Sequence, residues 1–279
     1  MLTSGVSNAA LAAMIMTLVL STIIPIAAAI IVAKRWKNVF GAVIAGALTF
    51  FFMQMVLRIP ILQLLLPRFG WFKAFSARPI AFLVFLSFSA ALFEESGRFL
   101  AFRLLLKDRL VYQSGIAFGI GHGGIEAMLL VGATYVNNLA FSFMLNAGKL
   151  ETFLEGKLDP ATITYIGNAL STTPPDTFLA AGVERVLTMV FHVALSVMIL
   201  EGIVYGRACR FYLFALLAHG SVNLLVASVV RATGSLWLTE LLIAIVAVLS
   251  LSYLISARRR FGDKQEVKDE AHQAVEDGY

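Results

Sequence analysis

Glu94, Glu95 and Arg98 interrupt one apolar run of the chain. His122 and Glu126 interrupt a second, Glu184, Arg185, His192 and Glu201 a third, and His219 with Asn223 a fourth. Ionisable side chains in such surroundings are costly, and they end up facing a cavity or a partner. Spacing sorts them further. Glu94 and Arg98, His122 and Glu126, and His219 and Asn223 are each four residues apart, so each pair shares one helical face. A glutamate pair, three histidines and an amide can bind one zinc ion. Zinc takes imidazole nitrogen and carboxylate oxygen, and a catalytic site keeps one position open for water. The ion acidifies that water and polarises a scissile carbonyl. A nearby glutamate then serves as general base, and Asn223 can donate to an oxyanion.

The two adjacent glutamates are expected to differ. Glu94 lies one turn before Arg98 on a shared face, so the guanidinium should hold it ionised and oriented. Glu95 lies about 100° round the helix, free to face another neighbour, and is the expected base. Each residue also has a purely structural reading. The glutamate pair could merely neutralise Arg98, and His192 could be a satisfied core histidine. His219 with Asn223 could be hydrogen-bonding glue between helices. Glu184 with Arg185 reads better as a structural ion pair, Glu201 as an interfacial residue, and His272 as idle in the tail.

Other chemistries fail on inspection. The sequence holds no His-Glu-x-x-His, no Gly-x-Ser-x-Gly, and no aspartate within an apolar run. Cys209 is the one cysteine, which excludes a disulfide framework or a multi-cysteine metal cluster.

The elements that position these residues follow from composition. Of 279 residues 59% are hydrophobic and 14% charged. Soluble domains run at roughly 45–50% and 25%, so this is a polytopic membrane protein of all-α, helix-bundle class. Spanning helices need roughly 20 apolar residues. Seven are expected, near 9–33, 39–57, 79–103, 112–146, 178–205, 211–230 and 235–257. Spans three to six form a four-helix catalytic core. The third is open to a break near Phe93, and Pro25 should kink the first, which is too long and lacks the basic start of a cleavable signal peptide. Residues 1–260 form one integral membrane domain with its core at 79–230, and 261–279 reads as a disordered cytoplasmic tail.

Basic residues set the orientation. Lys34, Arg35, Lys37, Arg103, Lys107, Arg109, Arg207, Arg210, Arg258, Arg259 and Arg260 fall in one set of joints, 11 against 7 in the other, so the N-terminus is expected outside and the C-terminus inside. Residues 58–78 should lie amphipathically in the interface with Trp71 at headgroup level. Residues 148–177 form the longest outer loop.

At about 1.5 Å rise per residue, Glu95, His122, His192 and His219 lie roughly 12, 15, 20 and 12 Å from the inner face. They should meet in one cavity open towards the inner half. Gly115, Gly119, Gly121, Gly123 and Gly124 permit the close helix approach this requires, or serve packing alone.

The elements Glu94-Glu95-Ser-Gly-Arg98, Gly121-His122-Gly-Gly-Ile-Glu126, Gly182-Val-Glu184-Arg185 with His192, and His219-Gly-Ser-Val-Asn223 resemble the YhfC family of intramembrane metallopeptidases. They are similar, more widely, to the type II CAAX-endopeptidase and PrsW-like group. The resemblance covers roughly 80–225. It implies that Glu94 and Glu95 are the base-bearing pair, that Glu126 carries the second motif, and that His219 and Asn223 carry the last. The wider group more often has His at the Glu126 position and Phe at the His122 position, which leaves His122 and Glu126 as alternatives for the metal or the water.

The function expected is intramembrane hydrolysis of a peptide bond near the inner leaflet, with zinc as cofactor. Catalytic candidates are Glu95, Glu94, Arg98 and Asn223, and metal candidates are His122, Glu126, His192 and His219. The partner is a membrane-embedded or lipidated substrate in the plasma membrane, with no nucleic acid. The alternatives are a transporter or proton relay, a lipid or lipoprotein transferase on the same fold, and a noncatalytic scaffold. Transporters favour inverted repeats, and the sequence shows none.

Overall fold

The computed structural model describes residues 5–276, with side chains as far as residue 262. The described residues form helices and no strand, and seven helices are long and apolar enough to cross a membrane. They are Asn8–Arg35, Phe40–Arg68, Pro79–Leu104, Tyr112–Asn146, Pro175–Val204, Ala208–Thr233 and Leu236–Gly262, called spans one to seven. A helix suits a lipid environment because it satisfies every backbone donor and acceptor within itself. Spans three and five begin on Pro79 and Pro175, where a missing N–H costs nothing. Span six ends at Gly234, whose φ of 60° is a left-handed cap.

All seven expected spans are present, and the third is one unbroken helix rather than a broken one. Span one widens into a π turn at Val19–Ile23, immediately before Pro25. There the Ser21 and Thr22 hydroxyls donate to the Thr17 and Leu18 carbonyls. Span two runs on helically as far as Arg68, and Gly70–Ser76 then forms a short helix. On that helix Trp71 is exposed while Phe72 packs edge-on to Phe82 and Phe85. The stretch 148–177 holds two helices, Leu150–Leu154 and Pro160–Thr172. Leu150, Leu154 and Ile163 of these helices share an apolar cluster with Met14 and Tyr135. The last helix continues to Glu276, so helical backbone occupies most of the segment expected as a disordered tail. Residues 277–279 of that segment lie outside the described residues.

The alternation of the spans gathers the ends near 35, 104, 112, 204 and 262 at one end of the bundle, here the basic end. Arg109 there donates to the Asn38 carbonyl at 2.6 Å, and Tyr205 donates to the Arg260 carbonyl at 2.5 Å. The half of the bundle towards this end is filled by Phe102, Phe118, Leu195, Ile199, Leu200 and Ala215, all buried. Glu201, expected at the interface, is buried here. It receives Arg260 through two nitrogens at 2.6 and 2.8 Å and Tyr253 at 2.6 Å, fastening span seven to span five.

Spans two, four and five pack at backbone distance. A Cβ on Gly121 would stand 1.9 Å from the Val43 carbonyl oxygen, and one on Gly119 2.4 Å from the Val193 Cα. Neither position admits a side chain, so the glycine-rich stretch draws two neighbouring spans against span four. A Cβ on Gly123, one turn beyond Gly119, would lie 3.2 Å from the Cβ of His192.

Candidate metal centre

That close approach sets the distances between the polar side chains. Span three supplies Glu94, span four His122 and Glu126, and span five His192. One ligand atom from each lies within 4.8 Å of every other. His122 Nε2 is 3.0 Å from Glu94 Oε2, and His192 Nε2 is 2.8 Å from Glu126 Oε2. Phe50 of span two packs edge-on to the His122 ring. Span four passes into a π turn at Ala127–Gly132 directly after Glu126, and such turns often mark functional positions in helices.

Glu94 and Glu95 occupy different surroundings. Arg98 closes on Glu95, within hydrogen-bond reach, and stands 4.0 Å from Glu94 Oε2. His219 Nδ1 meets the same Glu95 oxygen at 2.7 Å. Glu95 is thus wholly buried between a guanidinium and an imidazole. Glu94 instead hydrogen-bonds His122 and the side-chain amide of Gln54, and it faces a cavity. The sequence led us to expect the reverse pairing. Three residues and four residues are both about one helical turn, and the rotation of span three against span six decides which carboxylate Arg98 reaches. Arg98 Nη2 also lies 3.0 Å from His192 Nδ1.

His219, expected among the metal ligands, lies outside the group of four. Its Nδ1 is engaged with Glu95, and its Nε2 is 3.9 Å from Glu94 Oε2. Asn223, one turn on, lines the cavity.

The cavity measures about 440 Å³. Glu94, Glu126, His192 and His219 form its polar floor, and Leu83, Leu86, Val222, Val226, Ile243 and Val246 belong to its walls. By their positions along spans three, six and seven these wall residues lie on the side of the polar layer away from the basic end, so the cavity extends into the opposite half from the one expected. Phe102, Phe118 and Leu195 close the expected half, because spans two, four and five are drawn together there. Of the four residues expected to share one cavity, His192 and His219 line it. Glu95 and His122 lie behind its wall.

Three neighbours escaped the reading of the sequence. Gln54 donates to Glu94 from span two. Arg58, one turn on, donates to Gln54 Oε1 at 3.1 Å and to the Leu86 carbonyl at 2.9 Å. Two polar residues four apart at the end of an apolar run were the available signal. Glu240 of span seven buries an oxygen without a hydrogen-bond partner among the described residues. Glu184 and Arg185 are paired, as expected, but Arg185 also donates to Glu126 Oε1 at 3.2 Å, which ties the pair to the site.

The residues fit a metal ion. His122 Nδ1 and Glu126 Oε2 are buried without a hydrogen-bond partner, although Glu126 Oε2 stands close to His192 Nε2. Buried polar atoms are normally satisfied. Glu126 Oε2 and His192 Nε2, crowded together without hydrogen-bond alignment, suit a cation between them. Imidazole nitrogen and carboxylate oxygen are the donors zinc takes.

Fold and site together define a multi-pass helical membrane protein with a buried Glu/His group at the floor of a cavity. The model of the YhfC intramembrane metalloprotease family matches residues 20–248, and the chain belongs to that family. It is 29% identical over 233 residues to a protein of Bacillus subtilis strain 168 described as the uncharacterized membrane protein YhfC, covering 81% of this chain and 89% of the relative. No solved structure matches the chain.

Proposed function

We propose that this chain is a zinc-dependent hydrolase of the plasma membrane that cleaves a peptide bond in a membrane-embedded or lipidated substrate. The observation that supports it best is the convergence of Glu94, His122, Glu126 and His192, three of which, Glu94, Glu126 and His192, line the floor of a cavity with apolar walls while His122 stands just behind it. His122, Glu126 and His192 would hold the metal, which when bound supplies Lewis acidity and a more acidic water. Glu94 faces the cavity beside them. It accepts the proton of the attacking water and returns it to the leaving amine. Glu95, enclosed by Arg98 and His219, fixes the rotation of span three. Asn223 in the cavity wall donates to the carbonyl oxygen.

The apolar walls favour a substrate segment with aliphatic side chains. The positive-inside distribution supports a cytoplasmic basic end and an outer N-terminus, and in that orientation the scissile bond is reached from the outer half. A proton relay would need polar groups continuing through both halves, whereas the half towards the basic end is packed with Phe102, Phe118, Leu195 and Leu200.

The test is elemental analysis of the purified full-length protein, joined to cleavage of apolar transmembrane peptides in proteoliposomes. One zinc per chain, with cleavage lost on chelation and restored by zinc, is the expected result. A metal-free protein of full activity would sink the reading.

A further inference from the structure

A second cavity, of about 910 Å³, lies at the basic end, far from the Glu/His group. Ends of four spans meet there. Arg35 and Trp36 close span one, Tyr112 and Ile116 open span four, Val204 ends span five, and Arg258 and Phe261 come from span seven. No carboxylate among the described residues lines it.

Its walls are built rather than loose. Tyr112 donates its hydroxyl to the Leu254 carbonyl at 3.0 Å, which fixes the ring on span seven. Phe261 packs against both Tyr112 and Tyr205, with ring centroids 5.8 and 6.1 Å apart. The Glu201–Arg260 pair holds the same stretch of span seven in place. Arg260 is thereby spent on a carboxylate, while Arg258 and Arg35 are exposed and in no ion pair among the described residues. The joints between spans at this end carry one acidic residue, Asp108, against a run of lysines and arginines, while the segment after Gly262 carries six acidic residues and two lysines.

The cavity is therefore amphipathic. Two guanidiniums, an indole and a phenol share its lining with the apolar Ile116, Val204 and Phe261, and aromatic side chains of this kind favour the membrane interface. Guanidinium is the side chain suited to phosphate. Basic pockets between spans on this side of a membrane suit anionic head groups.

We propose that this cavity is a binding site for an anionic phospholipid, with its phosphate on Arg35 and Arg258 and an acyl chain along Ile116, Val204 and Phe261. The site is independent of the Glu/His group, so it does not depend on the catalytic reading.

Native mass spectrometry of the full-length protein tests it, with phosphatidylglycerol and phosphatidylcholine of identical acyl chains as probes. Wild type should retain phosphatidylglycerol preferentially. Each arginine replaced by glutamine, in R35Q and R258Q, should lower that retention about fivefold. The R35K/R258K double variant should keep most of it, and R231Q, at the opposite end, should change nothing. A monodisperse elution profile and an unchanged melting temperature in detergent would show that the glutamine variants are folded. Equal retention of the two lipids, or glutamine variants that retain phosphatidylglycerol as wild type does, would overturn the proposal. So would a preference that emerges only after removal of residues 263–279, since the acidic tail would then be the occupant. Displacement of the lipid by millimolar inorganic phosphate alone would also overturn it, by assigning the cavity to a free anion.

Discussion

Arg98 reaches back three residues to Glu95, and the carboxylate four residues back, Glu94, stands 4.0 Å from its Nη2. This one choice of partner places two neighbouring glutamates in unlike surroundings. Glu95 is enclosed by Arg98 and His219, while Glu94 is left facing the cavity beside His122.

Glu95→Gln should accordingly be the damaging substitution for folding. It leaves Arg98 buried with its carboxylate partner removed, and breaking a buried pair costs roughly 3–5 kcal/mol. Lower abundance and a lower melting temperature in detergent are the expected outcomes. Glu94→Gln should melt close to wild type and lose cleavage. Equal melting temperatures for the two variants would remove the assigned division of labour.

His192→Ala and Glu126→Gln should each abolish stoichiometric zinc. Arg185→Gln touches no proposed ligand atom except through Glu126, whose Oε1 it holds at 3.2 Å. Partners of ligating carboxylates typically matter 10–100-fold for metal affinity. Competition against a chelator of known affinity should therefore show a loss of about that size for Arg185→Gln, with the protein still folded.

Gln54→Leu tests the support that the sequence did not advertise. It removes the amide donated to Glu94 and leaves Arg58 without one acceptor. If the amide orients Glu94, turnover should fall while substrate KM and zinc content stay near wild type, and Gln54→Asn should recover little because its side chain is shorter. A variant with unchanged turnover would reduce Gln54 to packing.

Gly121→Ala should disrupt the site from a distance. The added methyl would lie 1.9 Å from the Val43 carbonyl, backbone that cannot yield cheaply. Overpacking of this kind costs about 1–3 kcal/mol. The expected result is a lower melting temperature and weakened zinc binding, because spans two and four must separate. Gly41→Ala, where nothing lies within 4 Å, is the control and should be neutral.

The order of apolar runs and the residues that interrupt them were decided by the sequence alone. Seven stretches long enough to cross a bilayer had to be helices, because lipid offers no partner to an open backbone. The residues brought together, Glu94, His122, Glu126 and His192, stand out as ionisable groups in apolar company. Pairing was another matter. Glu94 and Glu95 are about 100° apart on one helix, and only the packing of span three against spans two, four and six settles which faces Arg98 and which faces Gln54. The direction of the cavity was equally out of reach. It depends on where neighbouring spans touch and where they part, and the contacts of Gly119 and Gly121 with Val193 and Val43 close the half towards the basic end. Contact between spans distant in sequence leaves little trace in the pattern of either. Tertiary packing therefore decided the surroundings of each glutamate and the half of the bundle into which the cavity extends.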